Sequence, residues 1–174
     1  MTLMNRQLLC LVLVAITSLP LAAQTADANR QAEVAKLGAD VMPFDLKATT
    51  HIFTKTSDGG TQRVVAKDPS DAVQTRLVRE HLRDVRVQFR NGDFSGPSHI
   101  HGTDMPGLAQ LSSARPGQIA VAYQEVEGGA ELTYRTRNVR LASALHAWFD
   151  AQISDHGADA MAGHQHHHAD MPKK

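Results

Sequence analysis

Cysteine is almost absent from this chain of 174 residues: it holds one, Cys10, in the middle of an apolar run. Disulfides are therefore excluded, and no C-x-x-C pattern offers thiolates to a metal. Charge of one sign is also missing, since 18 Lys and Arg face 18 Asp and Glu. Without a basic surplus there is nothing to neutralise a phosphate backbone, which argues against nucleic acid as a partner. Chemical signatures are missing too. No Gly-x-Ser-x-Gly elbow, Gly-rich phosphate loop, dinucleotide fingerprint or His-Glu-x-x-His helix occurs. The residues name no enzyme clearly.

One long apolar run is present, and it lies at the start. Arg6 supplies a positive charge, Leu8 to Leu19 an apolar stretch, and Pro20-Leu21-Ala22-Ala23 a small-residue end. Residues 1–23 read as a secretory signal, cut after Ala23 or after Ala28. The run is shorter than the roughly 20 apolar residues of a membrane span. Cleavage removes Cys10, so any metal site in the exported chain is built from His, Met, Asp and Glu. It also removes Arg6, leaving one net negative charge. About 150 residues remain, the size of one domain. The expected location is periplasmic or secreted, with no membrane span after cleavage.

Residues 24–40 are polar and Ala-rich and read as a flexible lead-in. A short helix over Asn29 to Ala39 would have Val34 and Leu37 as its apolar anchors. The domain proper is expected over 41–157. It carries an internal repeat. The first unit is a hairpin, Thr49 to Lys55, a turn at Ser57-Asp58-Gly59-Gly60, and Gln62 to Ala66. A helix follows from Asp68-Pro69-Ser70-Asp71, with Val73, Leu77, Val78, Leu82, Val85 and Phe89 at helical spacing. The second unit runs Gln118 to Tyr123, turns at Glu127-Gly128-Gly129, and returns through Glu131 to Tyr134. Asn138 or Thr136 caps its helix, which carries Leu141, Ala142, Leu145, Trp148, Phe149 and Ile153. Two ββα units imply an α+β domain, a small antiparallel sheet with helices packed on one face. Residues 91–108 between the units are rich in Gly, Pro and Ser and read as a loop, with a short helix over Pro106 to Ser112. Residues 158–174 have no apolar periodicity and are expected to lack structure without metal.

Histidine is what the chain has in quantity, with ten residues. His164, His166, His167 and His168 cluster in the tail, with Met161 and Met171 beside them. Neutral imidazole offers a lone pair to a metal near neutral pH. Imidazole with thioether suits copper, and imidazole alone also suits zinc and nickel. Fixing such a tail around an ion costs about 1–2 kcal/mol of backbone freedom per residue, so it suits scavenging or delivery. A second candidate is His99-x-His101. On an extended segment both rings face one side, with Asp104 or Met105 to close the site. His51, at the start of a strand, adds a rigid ligand. His81 and His146, on the helices, read as packing or hydrogen-bonding residues.

Val41-Met42-Pro43-Phe44-Asp45-Leu46, Thr49-Thr50-His51-Ile52-Phe53, Gly92-Asp93-Phe94, His101-Gly102, Met105-Pro106-Gly107-Leu108 and Leu145-His146-Ala147-Trp148-Phe149-Asp150 together resemble a small exported bacterial family often labelled aspartate carbamoyltransferase. The resemblance spans roughly residues 40–157, and the label implies carbamoyl transfer. Tyr134-Arg135-Thr136-Arg137 echoes the Ser-Thr-Arg-Thr carbamoyl-phosphate loop of that enzyme, and its His-Pro-x-Gln motif is absent. No residue is carried over as catalytic.

The expected function is that of an exported metal-binding protein, with copper first and zinc or nickel next. It would buffer, confer tolerance or deliver to a metal transporter or acceptor protein. The alternative is an exported enzyme, either a metal-assisted hydrolase at the His99/His101 loop or the carbamoyltransferase of the label. A domain with no metal role is the third reading.

Overall fold

The computed structural model describes residues 21–164, with side chains from Asp27 onward. The expected signal sequence therefore lies almost wholly outside the described residues, as do His166, His167 and His168.

Each hairpin forms where its turn glycines place it. Strand β1 (Thr49–Thr56) pairs antiparallel with β2 (Gly59–Ala66), and β3 (Ala120–Val126) with β4 (Gly129–Arg135). The hairpins then join through their inner strands, Val64 opposite Ala130 and Gly60 opposite Tyr134. Glycine at 129 is required by that join, because a β-carbon there would run into the backbone carbonyl of Val64. Helix α2 (Ala72–Arg90) starts at Asp71, whose carboxylate accepts from the amides of Val73 and Gln74. Helix α5 (Val139–His156) starts at Asn138, which accepts from the Arg140 amide. Both ββα units are thus present, and the chain is an α+β domain with its helices against one face of the sheet.

Strand alternation sets the two faces. His51, Phe53, Val64, Leu132 and Tyr134 are buried under the helices with Val78, Leu82, Leu145, Trp148 and Phe149. Ile52, Thr54, Thr61, Arg63 and Glu131 occupy the other face.

Two segments differ from the composition-based expectation, while the short helix expected over Pro106 to Ser112 is present as α4 (Leu108–Ser112). Ser95–His101, expected as loop, is a helix, α3. Pro97 is tolerated in α3 because it lies in the first turn, where an amide has no intrahelical partner. Phe94 anchors α3 by stacking on Phe89 at 4.4 Å between ring centroids. After Gly157 the chain forms a 3-10 turn and a short strand, β5 (Ala160–Ala162), parallel to β1. The sheet is therefore mixed, in the order β3-β4-β2-β1-β5. Helix α1 (Leu21–Gly38) contains the stretch expected to be helical, and Val34 is fully buried against the core.

Candidate functional site

Three histidines from three parts of the chain meet beneath the sheet edge, His51 and His101 buried and His156 half-buried. His51 comes from β1, His101 from the last turn of α3, and His156 from the last turn of α5. The His51 and His156 rings lie 5.0 Å apart between centroids and parallel to within 7°. His101 meets His156 edge-on at 5.1 Å. His81, from α2, faces the same cavity and packs edge-on against Phe44 at 5.5 Å.

Each ring of the trio has one nitrogen engaged from outside. Nδ1 of His101 donates to Oδ2 of Asp155 at 2.8 Å. A carboxylate has no proton to give, so Nε2 is left as the lone-pair nitrogen. Nε2 of His156 donates to Oε1 of Gln152 at 3.1 Å, which leaves Nδ1 as its lone-pair nitrogen. His51 hydrogen-bonds the backbone of Asp159, and its Nδ1 has no partner. Arg30 of α1 holds the outer shell. Its Nη2 donates to Asp155 at 2.8 Å and to the carbonyl of His101 at 2.7 Å, and its Nε reaches Asp155 at 3.3 Å.

Electrostatics keep the rings neutral. Burial drives His51 well below the ordinary histidine value, and the neighbouring His156 and His81 push it the same way. Burial lowers His81 and His156 each to about 4. His101 is lowered by burial despite the opposing pull of Asp155. Burial alone would raise Asp155, but hydrogen bonds from Arg30 and His101 outweigh it and hold the carboxyl below its usual range. The cluster therefore presents neutral nitrogen donors backed by an ionised carboxylate.

The cavity between these rings has a volume of about 50 Å³. Organic ligands occupy roughly 300–1,000 Å³, whereas one water needs about 10–15 Å³ of this measure. The space suits an ion or a few small molecules. Met42, Gln62, Gln88, Gln152 and Trp148 are also in its lining, with apolar residues between them. The Nε1–H of Trp148 has no acceptor although the residue is 1% exposed. Among the described residues, no three or more His, Cys, Asp or Glu side chains are already gathered around one metal-sized point.

The other candidates lie elsewhere. His99 and His101 are two residues apart on a helix, not on an extended segment, so they point about 200° apart. His99 is exposed and sits 3.4 Å from Asp40. Met105 is buried and packs in the core, while Asp104 is exposed. Met161 pairs with Ile52 and is exposed on the far face, and His164 lines a shallow depression there with Arg63 and Glu131. His146 donates to the carbonyls of Thr56 and Gly59, both at 2.9 Å, and so ties α5 to the first hairpin turn. A larger open groove of about 1050 Å³ runs past Arg135, Thr136 and Arg137. It contains none of the histidines.

His156, Gln152, Asp155 and Arg30 were not singled out from sequence. Helical spacing does carry a signal for two of them. Trp148, Gln152 and His156 lie at i, i+4 and i+8 on the buried face of α5, one turn beyond the last apolar residue.

No family model, curated protein or solved structure matches the chain.

Proposed function

We propose that this is an exported metal-binding protein whose principal site is the trio His51, His101 and His156. The observation that carries this reading is the His101–Asp155 pair. A metal-ligating histidine typically donates its second nitrogen to a carboxylate, which fixes the tautomer and raises the basicity of the other. Here the carboxylate is itself held by Arg30. The spacing agrees. A ligating nitrogen sits about 2 Å from zinc, so ring centroids on neighbouring tetrahedral positions are about 5 Å apart. The observed separations are 5.0 and 5.1 Å. Capture requires the parallel His51 and His156 rings to turn about their side-chain torsions so that both lone pairs meet the ion.

Copper is the first choice, with zinc and nickel next. Imidazole suits all three, and the buried thioether of Met42 in the same cavity adds a soft donor that suits copper(I). In this reading the protein buffers copper outside the cytoplasm, confers tolerance or passes the ion to a transporter or acceptor protein, while the tail histidines capture ions loosely. The cavity beside the trio is too small for an organic substrate, and His99 and His101 do not face one another across a shared site.

The test is a copper titration of full-length protein, read by metal content and by the fluorescence of the chain's single tryptophan. Trp148 lines the cavity, so it reports on the trio and not on the tail. Replacing His164, His166, His167 and His168 by Ser should lower total capacity and leave the fluorescence response intact. His101→Ala or His156→Ala should abolish that response, whereas His99→Ala should not. A response that survives loss of His101 and His156, or vanishes with the tail, would refute the buried site.

A further inference from the structure

Besides the trio, His81 and apolar side chains, the cavity is lined by Trp148 and by the amides of Gln62, Gln88 and Gln152. Tyr134 donates to Oε1 of Gln62 at 2.7 Å, so the Gln62 amide keeps its N–H groups for other acceptors. Trp148 offers an N–H only, and it has no acceptor among the described residues. A buried N–H without an acceptor is costly, because it gives up its hydrogen bond to water and gains none in return. The Trp148 ring cannot swing away to relieve that cost, because Phe89, Tyr134 and Phe149 pack against it at 5.8, 5.9 and 5.7 Å. Trp148 thus brings an unpaired donor to the lining of the cavity, which calls for a ligand that accepts a hydrogen bond from it.

We infer that the cavity binds a small inorganic anion together with the metal ion, the anion completing the coordination of the ion and accepting a hydrogen bond from Nε1–H of Trp148. The inference rests on reading the trio as a metal site. Three protein ligands leave one tetrahedral position open, as in zinc sites that keep a water or substrate in the fourth place. The roughly 50 Å³ cavity, on a measure where one water takes about 10–15 Å³, limits the anion to a few atoms. The ligand class is therefore hydroxide or a triatomic anion, not a carboxylic acid or phosphate ester.

Azide is the probe. Full-length protein carrying the four tail His→Ser changes is loaded with one equivalent of copper(II) and titrated with azide, following the azide-to-copper charge-transfer band. A saturable band with one azide per copper is expected. Replacing Trp148 by benzothienylalanine puts sulfur where the N–H was and keeps the ring shape, and a single tryptophan makes the replacement unambiguous. It should raise the azide Kd about fivefold, or about 1 kcal/mol, with copper affinity unchanged. Circular dichroism and the melting curve confirm that the fold survives. If copper does not enter the trio, the metal reading fails and takes this inference with it. If copper enters but azide gives no band, or binds equally well without the Trp148 N–H, this inference alone is overturned.

Discussion

Protonating the cavity histidines should destabilise the metal-free protein between pH 7 and pH 5, where most domains of this size keep their stability. His81 and His156 titrate near 4 in the folded chain, against about 6.5 when unfolded. Between those values the unfolded state binds more protons, so stability falls as pH falls. The window opens near pH 6.5 and closes near pH 4. His156 faces His51, His101, Asp155 and Asp159, and only the carboxylates oppose the shift. Asp155 titrates below the usual carboxylate range and so adds its own loss only beneath this window. From pH 7 to pH 5 each ring accounts for about 2 kcal/mol at 1.36 kcal/mol per pH step. Halving the sum for the solvent that reaches these partly exposed rings leaves about 2 kcal/mol. With a urea slope of about 1–3 kcal/mol/M, the midpoint should drop by about 1 M. The assay is urea denaturation in a chelating buffer at pH 7, 6 and 5, followed by Trp148 fluorescence and circular dichroism. His81→Leu should remove about half of the slope. A midpoint that stays constant from pH 7 to pH 5 would show that these rings are not buried as neutral bases.

Asp155→Asn keeps an oxygen for Nδ1 of His101 but removes the charge. Copper affinity measured by chelator competition should fall about 10–100-fold, as second-sphere changes usually do, and an unchanged affinity would count against a direct role for His101. Gly129→Ala should destabilise by about 3 kcal/mol or more, lowering Tm by roughly 10 °C or more, because its β-carbon meets the Val64 carbonyl in a central strand. Gly96→Ala is the control: its β-carbon would make only an ordinary contact with Val41, and its Tm should move by a degree or two at most.

The hairpin–helix repeat was legible because two independent local signals coincide in it. Asp58-Gly59-Gly60 and Glu127-Gly128-Gly129 mark the turns, and apolar spacing marks the helices. Segment Ser95–His101 was not, since Gly, Pro and Ser predict a loop, and only the docking of Phe94 and Ile100 into the core makes the helix worthwhile. Strand β5 has three residues, too few to show alternation. For the site, His51 and His101 were found as histidines in suggestive places, but their true companion His156 was hidden at a helix end beside a louder tail. Arg30 and Asp155 lie 125 residues apart, and no local pattern announces a pair at that distance.

The sheet itself separates the two histidine groups. His51 pairs with Ala160 on the covered face, while Met161 and His164 follow on the open one. An ion held by His164 therefore has β1 between it and the trio. On the proposed reading, tail and cavity act as two sites with different physics and not as one ligand shell. The cavity's rings are held by Asp155, Gln152 and the Asp159 backbone before any ion arrives. Capture there asks for ring turns of His51 and His156 inside a packed cavity, a smaller ordering cost than fixing a chain segment, and this favours tighter, more slowly released binding. A tail that took up order only on binding, as the sequence leads one to expect, would spend about 1–2 kcal/mol per residue doing so, which favours weak and quickly reversible capture. Loading should then be biphasic, a fast phase that leaves Trp148 unchanged and a slow phase that alters its fluorescence. Suppressing the fast phase by replacing the tail histidines should slow filling of the cavity at low copper without changing its final affinity.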